Sequence, residues 1–157
     1  MPSLWRIAAD TPTWGADDLT GKGAELTGGR WNRKGTPLLY TSGSRALACL
    51  ETLVHLAGGT PLPLNRYLVE IAVPQPIWDA RTRFDPLAQV GWDAEPPGLI
   101  SLDWGTQWAQ SVHAVLAQVS SIVVPEESNL LVNPRHPDAV QLTARKVRRW
   151  TYDRRLR

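Results

Sequence analysis

The alternation of apolar and polar positions predicts short strands separated by turns. Residues 66–73 alternate with a period of two, Pro74 ends the run, and the apolar face carries Tyr67, Val69, Ile71 and Val73. Shorter apolar stretches predict four further strands, at residues 4–7, 38–41, 121–125 and 150–153. Residues 10–37 are rich in Gly, Thr and Asp, so we predict that they form mainly loops.

Apolar spacing at the helical period predicts a helix over residues 44–56. Ser42 or Ser44 can cap its start, because a serine oxygen accepts from the unpaired N–H groups of the first turn. Glu51 projects about 40° beyond Leu47, at the border of the apolar face, where a carboxylate is half-buried and held in place. That face consists of Ala46, Leu47, Leu50, Leu53 and Val54. Similar spacing predicts a second helix with apolar positions Trp104, Trp108, Val112, Val115, Leu116 and Val119.

The order of these elements favours the α+β class. Strands and helices neither alternate strictly, as in a βαβ fold, nor reduce to strands alone. The 157 residues contain no internal repeat and no linker, so we expect a single domain spanning 1–157. A hydrophobic fraction of 43% and a charged fraction of 20% are ordinary for a globular domain.

Cysteine usage and hydropathy point to a compartment. The single cysteine, Cys49, cannot form an internal disulfide, and no apolar run approaches the roughly 20 residues needed to cross a bilayer. We therefore expect a cytoplasmic protein with no membrane partner. Eight tryptophans supply large apolar area, but their number does not distinguish a core from a binding site.

The net charge of +2 conceals an asymmetry along the chain. Residues 144–157 carry seven Lys or Arg and one acid, whereas the first 143 residues carry 10 basic and 14 acidic side chains. A basic end on an acidic body is compatible with nucleic acid or an acidic partner. A solvated charged strand or tail is the alternative, and we favour it.

Motifs for metals and for phosphate-binding loops are absent from the sequence. The three histidines and Cys49 lack the spacing of zinc ligands, so we expect no metal site. The segment from Gly15 to Gly23 resembles a P-loop, but it has one intervening residue too many. Gly23 also stands where that loop needs a Ser or Thr to hold Mg2+.

Several segments taken together resemble the RES domain, a family of bacterial toxins. They occur in order from about residue 4 to residue 156, so the resemblance covers nearly the whole chain. The most characteristic are Gly-Gly-Arg-Trp-Asn at 28–32, Leu-Tyr-Thr-Ser at 39–42, Ser-Arg-Ala-Leu-Ala-Cys-Leu-Glu-Thr-Leu-Val-His at 44–55, and Asn-Leu-Leu-Val-Asn-Pro-Arg-His-Pro-Asp at 129–138.

The resemblance implies a fold related to the ADP-ribosyltransferases, with a central β-sheet core flanked by helices. It also implies cleavage of the nicotinamide–ribose bond of NAD+, with water, phosphate or a protein as the acceptor. The Arg, Glu and Ser that name the family correspond to Arg30, Glu51 and Ser121. Ser120 stands where the family usually has Pro, so either serine can be the site serine.

The chemistry of NAD+ suits these residue types. A guanidinium fork matches phosphate oxygens, so Arg30, and more weakly Arg6, are expected phosphate ligands. Tyr40 offers a ring for stacking on nicotinamide and a hydroxyl for a ribose or a phosphate. Glu51 would hydrogen-bond a ribose hydroxyl and stabilise the developing cation, and Ser121 could bond the ligand. The alternatives are ion pairs for both arginines, a core position for Tyr40, an exposed helical position for Glu51 and a turn for Ser121.

His55 and Trp31 are weaker site candidates. His55 lies one helical turn from Glu51, where a structural role is the favoured interpretation. Trp31 could wall the pocket, although core packing is at least as good an interpretation.

Three functions are therefore compared. The first is a toxin that depletes NAD+ by phosphorolysis or hydrolysis, with NAD+ as substrate, no cofactor, and inorganic phosphate as a possible co-substrate. The second transfers ADP-ribose to a specific protein, and the third and weakest is a nucleic-acid-binding module built on the basic end. The resemblance further implies a helix-turn-helix (Xre-like) antitoxin as partner, a toxin homodimer within that complex, and contact with DNA only through the antitoxin.

Overall fold

A computed structural model describes residues 1–56 and 58–156. Two short 3-10 segments, Pro137–Gln141 and Arg154–Leu156, accompany the regular elements. The strands are β1 (Ser3–Ala9), β2 (Leu39–Ser42), β3 (Arg66–Ala72), β4 (Thr82–Arg83), β5 (Leu116–Ser120), β6 (Ser128–Val132) and β7 (Thr143–Arg149). The helices are α1 (Lys22–Thr27), α2 (Arg45–Val54), α3 (Gln75–Asp79) and α4 (Leu99–Ser111).

The strands form one sheet in the order β4-β5-β6-β2-β1-β3-β7. Only β4 and β5 pair in parallel, and the other neighbours are antiparallel. The sheet together with its helices confirms the predicted α+β class. Apolar side chains of the central strands are buried, including Leu4, Val69, Ile71, Leu116 and Leu131.

Helix α2 begins where predicted but buries a different face. Its N-cap is Ser44, whose Oγ accepts from the backbone N–H of Leu47 at 3.1 Å. The buried side chains are Leu47, Ala48 and Cys49, whereas Ala46, Leu50 and Val54 of the predicted face are exposed. Small side chains let α2 pack closely on β1 and β2, and this decides the face. Glu51 therefore projects between Leu47 and Ala48, inside the buried sector rather than at its border.

The second predicted helix is shorter than predicted, and two predicted strands are wrong. Helix α4 ends at Ser111 because Val112 adopts a left-handed conformation with φ 53°. Val115 therefore lies beyond the helix, and Leu116 and Val119 belong to β5. Residues 121–125 form a turn between β5 and β6, and residues 150–153 follow the end of β7 without strand structure. Residues 10–37 are mainly loop, as predicted, apart from the short helix α1.

Most of the basic end of the chain forms a charged edge strand, which is compatible with the favoured interpretation of that segment. Strand β7 lies at one margin of the sheet, and most of its side chains are exposed. Arg145 pairs with Glu70 at 3.1 Å, and Lys146 pairs with Asp10 at 3.1 Å. Nucleic-acid binding by this strand stays a prediction. Within the described ranges, no helix has the length and apolar character needed to cross a membrane.

The sheet opens between β1 and β2. These two strands share a single register pair, Trp5 with Ser42, whereas β1 and β3 share seven. Strands that pair at one point and then separate leave a gap that other groups can enter. A cleft of about 1200 Å3 lies at this divergence.

Candidate active site

The cleft brings together side chains that are far apart in the sequence. Arg6 comes from β1, Arg30 from the loop after α1, Tyr40 from β2 and Glu51 from α2, and all four line the cleft. The predicted ligand Ser121 is fully buried behind the cleft wall, and its neighbour Ser120 lines the cleft instead. The structure thus places four of the five predicted site residues around one cavity.

Two neutral donors hold the carboxylate of Glu51. Its Oε1 accepts from the Ser121 hydroxyl at 2.6 Å and from the Asn129 amide at 2.8 Å. Ser121 directly follows β5, and Asn129 lies near the start of β6. The two donors therefore anchor a helical side chain to the sheet. Glu51 is therefore a fixed, half-buried acid rather than an exposed helical one.

Ser121 contacts Glu51 and the chain around it. Its hydroxyl donates to Glu51 and accepts from the backbone N–H of Val124 at 3.1 Å, which closes the turn after β5. Ser121 is 0% exposed, so it acts on the cleft through Glu51. Ser121 is therefore a turn residue that also holds Glu51, and its predicted contact with a ligand stays a prediction.

The Tyr40 hydroxyl is built into the wall of the cleft. It accepts from the backbone N–H of Trp31 at 3.0 Å and donates to Oδ1 of Asn32 at 2.6 Å. Burial raises the pKa of Tyr40 well above its usual range, so the group stays protonated at neutral pH. Gly29 is required beside it, because a Cβ there would lie 2.6 Å from the hydroxyl.

The guanidinium of Arg30 is engaged by a neighbouring loop. Its NH1 donates to the carbonyls of Trp92 at 3.2 Å and Ala94 at 2.8 Å, and its NH2 pairs with Glu95 at 2.7 Å. The side chain of Arg30 is 15% exposed and that of Glu95 is 72% exposed. The ion pair foreseen as the alternative for Arg30 exists, and it lies at the rim of the cleft, where Glu95 is also a lining residue.

Arg6 crosses the opening between β1 and β2. Its NH1 donates to the carbonyl of Tyr40 at 3.2 Å, while its Nε is buried without a hydrogen-bond partner among the described residues. Burial lowers the pKa of Arg6 to about 10, and the charge of Asp18 partly offsets this. A desolvated cation with an unsatisfied N–H in a cleft is suited to an anionic ligand.

Trp31 and His55 differ in their roles. Trp31 lines the cleft but is 3% exposed and packs in an aromatic cluster with Phe84, Trp92 and Trp104, so both interpretations of it hold. His55 is the exposed C-cap of α2 and lines the cleft. Among the described residues, no group of three or more His, Cys, Asp or Glu side chains is arranged to hold a metal ion.

Sequence reasoning missed Asn129, Ser42 and Asp18. The sequence suggests Ser42 as a helix cap, whereas in the structure its hydroxyl donates to Oδ1 of Asn129 at 2.8 Å. Asp18 lines the cleft beside Arg6. The signal for Asn129 was its position at the start of an apolar stretch that becomes β6, a strand that the sequence analysis did not predict.

Comparisons with known proteins agree with the resemblance. A family model described as the RES domain matches residues 3–155. The "Prs ADP-ribosylating toxin" of a Sphingobium species is 57% identical over 155 residues, which are 98% of this chain and 96% of that protein. A "Toxin Res" of Pseudomonas putida is 35% identical over 154 residues, 98% of each chain. A "Toxin Res" of Yersinia enterocolitica is 38% identical over 122 residues, 77% of this chain and 78% of that one.

Proposed function

The chain belongs to the RES domain family, and we propose that it is a toxin that cleaves the nicotinamide–ribose bond of NAD+ and transfers the ADP-ribosyl group. The observation that carries the proposal is the Glu51 carboxylate, fixed by Ser121 and Asn129 in a cleft that also holds Arg6 and Arg30. NAD+ needs cations for its pyrophosphate and an anion near the ribose carbon that becomes positive.

The roles follow from the charges. When nicotinamide leaves, its ribosyl carbon becomes oxocarbenium-like, and a preoriented carboxylate stabilises that charge without reorganising. Glu51 supplies it. Arg6 and Arg30 would bind the pyrophosphate, because a guanidinium donates to two oxygens at once. The ring of Tyr40 would contact the nicotinamide, while its hydroxyl serves the wall of the cleft.

A protein is the favoured acceptor of ADP-ribose. The Sphingobium protein is named for ADP-ribosylating Prs, and it is 57% identical to this chain over nearly the full length of both. An overall identity at that level supports the same class of acceptor. This favours the second of the three functions considered from the sequence.

Depletion of NAD+ by water or phosphate is the second candidate. The cleft volume of about 1200 Å3 exceeds the roughly 300–1,000 Å3 of most small-ligand pockets. Such a cleft leaves room for a small acceptor beside the dinucleotide. NAD+ phosphorolysis, yielding ADP-ribose 1″-phosphate, and hydrolysis, yielding ADP-ribose, are both compatible with it.

We further propose a helix-turn-helix antitoxin of the Xre type as partner, with this chain as a cytoplasmic homodimer in that complex. Support comes from the three relatives described above, all of which are named toxins, since a toxin in its own host needs an inhibitor. Contact with DNA would pass through the antitoxin. Co-expression with a helix-turn-helix protein of the Xre type, followed by light scattering of the purified complex, tests this.

The decisive experiment compares the unmodified protein with Glu51→Gln. Glutamine keeps an oxygen that can accept from Ser121 and Asn129, so the fold should persist while the negative charge is lost. We expect nicotinamide release to fall by about 100-fold or more. Glu126→Gln, the matched loss of an exposed carboxylate in the turn after β5, should leave turnover unchanged.

Product analysis distinguishes the acceptors. Purified protein is incubated with NAD+, with and without phosphate, and separately with labelled NAD+ in a cell lysate. A labelled protein band identifies protein modification, ADP-ribose identifies hydrolysis, and ADP-ribose 1″-phosphate identifies phosphorolysis. Unchanged turnover in Glu51→Gln would refute the proposal, and so would the absence of both NAD+ loss and a labelled protein band with folded protein free of antitoxin.

A further inference from the structure

We propose that Asn129 is a positioning residue that orients the carboxylate of Glu51 for the reaction, and that Ser42 in turn fixes the amide of Asn129. The inference rests on the proposed function and adds two residues to its machinery. Three hydrogen bonds carry it: Asn129 Nδ2 to Glu51 Oε1 at 2.8 Å, Ser121 Oγ to the same oxygen at 2.6 Å, and Ser42 Oγ to Asn129 Oδ1 at 2.8 Å.

The direction of each bond follows from what the groups can donate. An ionised carboxylate only accepts, so the NH2 end of the Asn129 amide must face Glu51. The amide oxygen then faces Ser42, and the Ser42 hydroxyl must donate to it. Without Ser42 the amide could turn and present its oxygen to the carboxylate, which would repel it.

Strand pairing in the sheet fixes the positions of Ser42 and Asn129. Ser42 and Asn129 are register partners on β2 and β6, and Asn129 is also paired with Val119 on β5. Ser42 is 4% exposed, and Asn129 is partly buried at the cleft. Helix α2 starts three residues after Ser42, and Glu51 lies in its second turn. These hydrogen bonds therefore connect Glu51 of α2 to β6 and to β2, the strand that carries Tyr40.

Ser121 and Asn129 both donate to Oε1 of Glu51. Because Oε1 is bound by the protein, Oε2 is the oxygen left to accept a ribose hydroxyl and to face the developing cation. Losing the Asn129 donor lets the carboxylate rotate, which misplaces the charge without removing it. A displacement of that kind costs about 10- to 100-fold in rate.

The test measures kcat and KM for nicotinamide release by purified, full-length variants. Asn129→Ala should lower kcat by about 10- to 100-fold and change KM by less than about threefold, because the phosphate ligands are untouched. Ser42→Ala should lower kcat by a smaller factor in the same direction. Gln118→Ala is the matched control: it removes a partly buried amide from the neighbouring strand, bonded to Ser128 and Arg81 rather than to Glu51.

A double variant tests whether Asn129 acts through Glu51. In Glu51→Gln the charge to be oriented is gone, so adding Asn129→Ala should cause no further loss of kcat. A multiplicative loss would mean that Asn129 acts independently, and it would overturn the proposal. A kcat within threefold of the unmodified protein in Asn129→Ala would overturn it too.

A stability cycle separates this inference from the proposed function. Denaturation midpoints of Glu51→Ala, Asn129→Ala and the double variant should be non-additive, because the two side chains share one bond. If the unmodified protein releases no nicotinamide even when the cell lysate is present, the proposed function fails, and the cycle alone decides whether the pair is coupled. Additive midpoints refute the positioning role whatever the activity.

Discussion

The hydroxyl of Tyr40 offers a test of how the cleft wall is stabilised. In Tyr40→Phe the ring stays, but the backbone N–H of Trp31 and Oδ1 of Asn32 each lose their partner. Both residues are buried, and Asn32 is 0% exposed. The Asn32 amide cannot turn to recover a bond, because its nitrogen donates to the carbonyls of Ala24 and Thr36.

The magnitude follows from these two orphaned groups. Each buried polar group left without a partner costs about 1–3 kcal/mol, so two cost about 2–6 kcal/mol, and partial relaxation around the missing oxygen keeps the sum in the lower half of that range. We expect the unfolding free energy to fall by about 3 kcal/mol. For a domain of 157 residues, each kcal/mol lowers Tm by about 2–4 °C, which gives about 6–12 °C.

Thermal and urea denaturation, followed by circular dichroism, measure the change. Tyr67→Phe is the matched control, because that partly buried tyrosine interacts with Lys146 through its ring, and its hydroxyl bonds no other described residue. A Tm for Tyr40→Phe within about 2 °C of the control would refute the reasoning. Assayed well below its Tm, Tyr40→Phe should keep most of its NAD+ cleavage, whereas Tyr40→Ala should lose it with the ring.

Three further variants test other parts of the molecule. Gly105→Ala would place a Cβ 1.9 Å from the carbonyl oxygen of Trp31, so denaturation should show a loss of at least about 3 kcal/mol; a smaller loss would mean that α4 shifts easily. Arg6→Met should equal or exceed the unmodified protein in Tm, since it removes a desolvated charge, while KM for NAD+ rises about 10-fold; an unchanged KM would exclude Arg6 as a ligand. The pKa of Asp10 lies below its ordinary 3.8, chiefly because the N–H of Ala16 donates to it. Its contribution is therefore present above that pH and lost as the pH falls through the lower value of the folded state. Asp10→Asn should flatten the acid limb of a urea-midpoint titration from about pH 5 to about pH 2, and an unchanged limb would contradict this.

The sequence predicted an element correctly where the period of its apolar residues was clear and the stretch was long enough to show that period. The alternating residues 66–73 and the capped helix from Ser44 both appear in the structure. The stretch 115–119 is too short for its period to decide between helix and strand, and the tertiary pairing of β5 with β6 decides for strand. Apolar size alone also predicted the wrong face of α2, because close packing selected Ala48 and Cys49 over Leu50.

The site was predictable one residue at a time, but its connections were not. A resemblance can assign Glu51 and Ser121 separately, and only the fold shows that they are bonded across 70 positions of sequence. Asn129 opens one of the segments that resemble the family, but it belongs to a strand that the apolar pattern did not predict, so the sequence assigned no role to its amide. Hydrogen bonds between side chains distant in sequence depend on sheet register, which a single sequence leaves open.

The guanidinium groups of the two arginines in the cleft differ in their hydrogen-bond partners, and this difference affects how a dinucleotide would bind. Arg6 is desolvated with an unsatisfied Nε, so an anion there supplies a missing partner. Arg30 already has partners at both terminal nitrogens: the carbonyls of Trp92 and Ala94 accept from NH1, and Glu95 accepts from NH2. A phosphate that binds NH2 of Arg30 therefore competes with Glu95, because both anions accept from that nitrogen. The exposed ion pair with Glu95 is worth about 0–1 kcal/mol, so its loss opposes binding only weakly. The two carbonyls meanwhile keep Arg30 directed at the cleft.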